Sequence, residues 1–205
     1  LFNPNNGIKY GVEEVRREFN FSNNPDIALH IRYGDKVNNK RSRQTIPVSI
    51  VKYLRVAEFW SQQLLRTEKK SLILIYVATD SLVAQNLVKT WESKNSDTVR
   101  VIMQRSAMSS YDEVTEAAKA GRHLSERLKF AEAKKFLVDL QFMMSAKFFA
   151  GLCMSQPARM VVNIGFSKGT LSQAVALDEQ NIKLIDRWKL GSEEGWSKYS
   201  DILHE

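Results

Sequence analysis

The residue types that can do chemistry in this sequence gather in three short stretches. The first, Asp26-Ile-Ala-Leu-His-Ile-Arg-Tyr-Gly-Asp-Lys36, is an apolar run that ends on His30, Arg32, Asp35 and Lys36. The second, Thr79-Asp-Ser81, follows the apolar run Ser71–Ala78, and the third is Met154-Ser-Gln-Pro-Ala-Arg159. Arg32 offers a forked, permanently charged donor of the kind that grips phosphate or carboxylate oxygens in pairs. Ser155 stands where a helix should begin, so its hydroxyl and the first free backbone N–H groups meet the positive end of the helix dipole. Together these groups suit a diphosphate. Each has a plainer reading when taken alone: His30 as a satisfied core histidine, Asp80 as a helix cap, Arg159 as a solvated helix residue. Only arrival at one sheet edge favours a shared ligand, because open α/β folds bind ligands at the carboxyl ends of their strands.

The elements that must carry these groups are legible in the spacing of apolar residues. Ile8, Val12, Val15 and Phe19 recur at helical intervals in Ile8–Phe21, with charges on the other side. Ile27–Arg32 predicts the first strand, and Val48–Arg66 a helix that starts at Pro47. Ser71–Ala78 is a continuous apolar run of strand length, which suits a parallel strand covered on both faces. Thr79 or Asp80 is placed to cap a helix over Leu82–Lys94, and Thr98–Met103 reads as a third strand. Gln104–Arg122 lacks a clear period and predicts a long loop. A helix from Ser125 to about Ser145, a strand over Lys147–Leu152, a helix over Ser155–Ile164 and a short strand at Ile182–Ile185 complete the pattern. Alternation of helix and strand predicts an α/β fold with a Rossmann-like, mostly parallel sheet.

Composition bounds the rest. With 205 residues, 43% of them hydrophobic and 26% charged, the chain can bury one sizeable core, so a single domain spanning 1–205 is expected. It opens on Leu-Phe-Asn-Pro-Asn-Asn-Gly7 rather than on Met or a signal peptide, which predicts a piece of a longer chain. No apolar run is long enough to span a bilayer, so no membrane contact is expected from this segment. Cys153 cannot form an internal disulfide and is expected as a buried thiol. A net charge of +7 points to anionic partners, and the basic stretch Lys36–Arg43 carries no interleaved aromatic, which argues for a solvated face rather than a nucleic-acid site. The glycine signatures of dinucleotide and P-loop sites, a serine nucleophile elbow and a metal-ligand spacing among His30, His123 and His204 are all missing. Asn20-Phe-Ser22 is a glycosylation sequon.

His30-Ile-Arg-Tyr-Gly-Asp-Lys36 resembles the His-x-Arg-Arg-x-Asp-Lys motif of the α1,6-fucosyltransferases, the family of core fucosyltransferases and nodulation-factor fucosyltransferases. Tyr76-Val-Ala-Thr-Asp80 is similar to the family's Tyr-Leu-Ala-Thr-Asp, and Leu137–Ser145 followed by Ser155-Gln156 and Arg159 resembles its third block. The likeness covers most of residues 8–165. It implies the donor-binding half of a GT-B glycosyltransferase: a metal-independent, cofactor-free domain that takes GDP-fucose and transfers fucose with inversion to a glycan or glycoprotein acceptor, in the Golgi if the source is eukaryotic. By position, His30 and Asp139 would contact guanine, Arg32, Ser155 and Gln156 would hold the β-phosphate, Asp80 and Arg159 would line the donor site, and Arg32, Asp35 and Lys36 would serve catalysis. Tyr33 stands where the motif has its second Arg, Ser81 replaces a second acid, and the family's base, a Glu shortly after the Lys, has no counterpart, since no carboxylate lies between Asp35 and Glu58. Asp112, Glu113, Glu116 or Asp35 could take that role, or a residue outside this chain. A catalytically silent GDP-binding or interaction module is the alternative.

Overall fold

The fold was read from a computed structural model, which describes residues 5–32, 48–104, 126–152 and 155–177. Its elements run α1 (Asn6–Glu18), β1 (Ile27–Ile31), α2 (Ile50–Thr67), β2 (Ile73–Thr79), α3 (Leu82–Lys94), β3 (Val99–Ile102), α4 (Glu126–Ser145), β4 (Phe148–Gly151), α5 (Gln156–Ser167) and β5 (Gln173–Ala176). The strands form one sheet in the order β3-β2-β1-β4-β5, every neighbouring pair parallel. This is the predicted Rossmann-like α/β class. The order reverses direction between β1 and β4, so the crevice where such sheets bind ligands opens beyond the ends of those two strands.

Strand composition explains the layering. β1 is buried along its whole length, as a central parallel strand covered on both faces must be. Side chains alternate across a strand: Ile27, Leu29 and Ile31 enter a core shared with α2 and α3, built around Trp60, Tyr53 and Leu64. Ala28 enters the opposite core, shared with α1, α4 and α5, where Tyr76 stacks on Phe142 with centroids 4.7 Å apart. His30 continues the Ala28 side.

Helix ends show where local chemistry overrode the predicted boundaries. α2 starts at Ile50, with Ser49 accepting a bond from Val51 N (3.3 Å), two residues later than expected. Neither Thr79 nor Asp80 caps α3: Ser81 does, through Ala84 N at 3.3 Å, while Thr79 Oγ1 accepts from Ser81 N at 3.2 Å. α5 runs on to Ser167, a turn past the expected Ile164, and stops at Gly169, whose φ of 69° gives the left-handed residue that closes it. The chain then turns back into β5, a strand the apolar pattern does not announce because Ser172 and Gln173 open it. The strand expected at Ile182–Ile185 and the Gln104–Arg122 loop beyond Gln104 lie outside the described residues, as does Cys153.

The amino-terminal edge of the sheet is tied by charge. Asp26, just before β1, accepts from Leu74 N at 3.0 Å and from Lys70 Nζ, and Glu68 pairs with Lys147 at the start of β4. These bonds leave the carboxyl edge to the residues singled out above.

Candidate site at the β1–β4 crevice

At the carboxyl end of β1, His30 lies almost wholly buried, 8% exposed, with its Nδ1 3.4 Å from Ser155 Oγ. Ser155 is the N-cap of α5 by position, yet its side chain makes no capping bond, unlike Asn5, Ser49 and Ser81 at the other described caps. Pro157 in the first turn brings no N–H, and Arg159 N returns to Ser155 O at 3.0 Å. The serine therefore spends its hydroxyl on the strand across the crevice instead of on its own helix. Gln156 is exposed at the first position of α5, and the half-buried Arg159 has an Nε without a hydrogen-bond partner among the described residues.

Burial, and then the neighbouring Arg32 guanidinium, lowers the His30 pKa to about 4. Desolvation and a like charge both disfavour the imidazolium, so at neutral pH the ring is uncharged and carries one proton, and permanent positive charge comes from Arg32. Arg32 Nε lies 3.5 Å from Asp80 Oδ2, which links the ends of β1 and β2. The first two stretches thus meet through an ion pair, and the first and third through the histidine and serine.

Asp139 belongs to a separate polar cluster between α4 and the sheet. Its Oδ1 accepts from Tyr76 Oη at 2.5 Å and Gln104 Nε2 at 2.8 Å, and its Oδ2 from Lys135 Nζ at 3.0 Å. Gln104 also donates to Tyr76 Oη at 3.0 Å and to Lys135 O at 3.3 Å. Burial, followed by the Asp139 carboxyl, pushes the Tyr76 phenol well above its ordinary pKa, so it stays a donor. Sequence reasoning placed Asp139 in the site but missed Tyr76, Gln104 and Lys135 as its partners. The i,i+4 spacing of Lys135 and Asp139 was the one local signal.

Asp35 and Lys36, Tyr33, and the acids Asp112, Glu113 and Glu116 lie outside the described residues. Among the described residues no three His, Cys, Asp or Glu side chains gather as a metal site would require, and no helix is long and apolar enough to cross a membrane.

An all-parallel 3-2-1-4-5 sheet with polar side chains at its switch point defines an α/β protein of Rossmann type. No protein-family model matches the sequence, and no curated protein does. Among solved structures the chain is similar to the fucosyltransferase NodZ from Bradyrhizobium, with a TM-score of 0.40 and 12% identity over 85% of this chain and 45% of that one. It is similar also to NodZ alpha-1,6-fucosyltransferase soaked with GDP-fucose, at a TM-score of 0.40 and 13% identity over 78% of this chain and 42% of that one. The chain spans less than half the length of either structure.

Proposed function

We propose that this chain is the donor-binding domain of a fucosyltransferase, taking GDP-fucose in the β1–β4 crevice. The observation that carries the reading is the 3.4 Å approach of Ser155 Oγ to His30 Nδ1. It joins the first and third stretches of the family resemblance across the switch point, while Asp80 of the second stands 3.5 Å from Arg32. Residues more than a hundred positions apart in sequence have no local reason to converge there.

On this reading Arg32, Ser155 and Gln156 hold the β-phosphate, with the free N–H groups of α5 adding their dipole. Arg159 and Asp80 line the same donor site, and Asp80 keeps the guanidinium in place. His30, uncharged, offers guanine a hydrogen bond without adding charge beneath it. Asp139, which the resemblance also assigns to guanine, lies in the neighbouring polar cluster between α4 and the sheet, where Tyr76, Gln104 and Lys135 already donate to it. In the transfer, the acceptor hydroxyl oxygen bonds to the anomeric carbon of fucose as the bond from that carbon to the β-phosphate oxygen breaks. GDP leaves with the electron pair, Arg32 stabilises the charge developing on it, and attack from the opposite face inverts the centre. Lys36 adds positive charge beside it, no metal is needed, and the proton passes to Asp35, to Asp112, Glu113 or Glu116, or to a residue outside this chain. The acceptor is a glycan or protein hydroxyl.

A second reading, a catalytically silent GDP-binding or interaction module, is favoured by one feature of the sequence: the absence of any carboxylate between Asp35 and Glu58. Calorimetric titration with GDP, ADP and UDP tests the binding shared by both readings. GDP should bind more tightly than either other nucleotide, and failure to bind GDP overturns both the enzyme and the GDP-binding module. Release of GDP from GDP-fucose, assayed with acceptor present, then supports the enzyme, whereas tight binding without release supports the silent module.

A further inference from the structure

The sequon at the far edge of the sheet has a geometry that the crevice does not explain. Asn20-Phe-Ser22 is the one Asn-x-Ser/Thr triplet in the chain, and it lies where α1 ends, before the chain enters the amino-terminal end of β1. α1 closes with a paired backbone cap: Phe21 N donates to Arg16 O at 3.0 Å and Asn20 N to Arg17 O at 3.3 Å. Asn20 is the left-handed residue of that cap, with a φ of 50°. Because the backbone satisfies the last carbonyls, the asparagine amide is not needed for capping. Phe21 tucks inward, its ring centroid 5.7 Å from that of Phe142, and the residues on either side of it are exposed. Arg100 Nη2 donates to Phe19 O and fixes the turn from the sheet side.

Among the described residues neither the Asn20 amide nor the Ser22 hydroxyl has a hydrogen-bond partner. Tolerance of the left-handed region accounts for an asparagine at position 20. It does not account for an exposed hydroxyl two residues on, nor for an intervening side chain that anchors the turn and leaves both polar groups facing solvent.

We infer that Asn20 is an acceptor site for an N-linked oligosaccharide. The co-reactant is an oligosaccharide on a lipid diphosphate, presented by a lumenal oligosaccharyltransferase. Asn20 Nδ2 bonds to the anomeric carbon as that carbon's bond to the diphosphate oxygen breaks. The lipid diphosphate leaves with the electron pair, and the amide gives up one proton to the transferase. The folded domain accommodates the product, since the glycan would project from an exposed turn at the edge opposite Arg32 and Ser155. The proposal stands independently of what the crevice binds.

The test is translation of the full chain behind a cleavable signal sequence in the presence of microsomes, scoring the protease-protected fraction. A single slower band that peptide N-glycosidase collapses, with Asn20 converted to Asp in the product, supports the site. Ser22→Ala should abolish the band without touching the left-handed residue, Asn20→Gly should abolish it while keeping the backbone conformation, and Ser22→Thr should preserve or raise occupancy. A protected wild-type chain that carries no glycan, or a band that survives Ser22→Ala, overturns the inference.

Discussion

His30 makes the stability of the fold depend on pH in a direction and window that its burial sets. The folded imidazole titrates at about 4 and the unfolded one near 6.5. Above pH 6.5 both states are neutral and the group contributes no pH dependence. Between about 6.5 and 4 the unfolded chain takes up a proton that the folded chain refuses, so stability falls as the pH is lowered through this window and levels once the folded ring is protonated too. At about 1.4 kcal/mol per unit, a displacement of this size amounts to about 3 kcal/mol. His30→Asn keeps a polar group near Ser155 Oγ and removes the titration. The assay is urea unfolding of wild type and variant at half-unit steps from pH 4 to pH 8. Subtracting one curve from the other cancels the carboxylates they share. The difference should be flat above pH 6.5 and move by about 3 kcal/mol toward the variant by pH 4. Parallel curves across the window would refute the claim that this ring is held neutral by the fold.

Three further outcomes follow from the same contacts. Tyr76→Phe removes one of three donors to the buried Asp139 and should cost about 1.5–3 kcal/mol in urea unfolding with an unchanged slope; a loss under about 0.5 kcal/mol would mean the cluster closes without the phenol. Asp26→Ala leaves the part-buried Leu74 N–H without its side-chain acceptor and should cost about 1–3 kcal/mol in thermal or urea unfolding. Lys70→Ala, which removes only a half-exposed partner of the same carboxyl, should cost less than about 1 kcal/mol; equal losses would place the energy in the ion pair instead of the backbone bond.

The parts of the fold that were legible in the sequence are those with a physical period. β1 and β2 stand out as continuous apolar runs because both faces of a central parallel strand are covered, and α3 was delimited correctly at Leu82–Lys94. β5 was not visible: its four residues, which open on Gln173 just after Ser172, have no period. At the crevice the residue types were legible but their partners were not. Arg32 and Asp80 sit at strand ends whose adjacency needs the sheet order, and the His30–Ser155 contact needs β1 beside β4. Asp139 carried no hint that Tyr76 and Gln104 would share its oxygen, since those bonds cross from a helix to β2 and to the chain just beyond β3. The N-cap assignments failed for a local reason: Thr79, Asp80 and Ser81 can all cap, and only the backbone decides among them.

The central claim is that Arg32 and Ser155 grip the terminal phosphate of one diphosphate. Calorimetric titration of wild type, Arg32→Ala and Ser155→Ala with GDP and with GMP addresses it most directly. The account predicts that Arg32→Ala loses about 1.5–3 kcal/mol, roughly 10- to 150-fold, for GDP, that Ser155→Ala loses a smaller factor, and that GMP affinity is unchanged in both. Equal GDP affinity in wild type and Arg32→Ala, or equal losses for GDP and GMP, would contradict it.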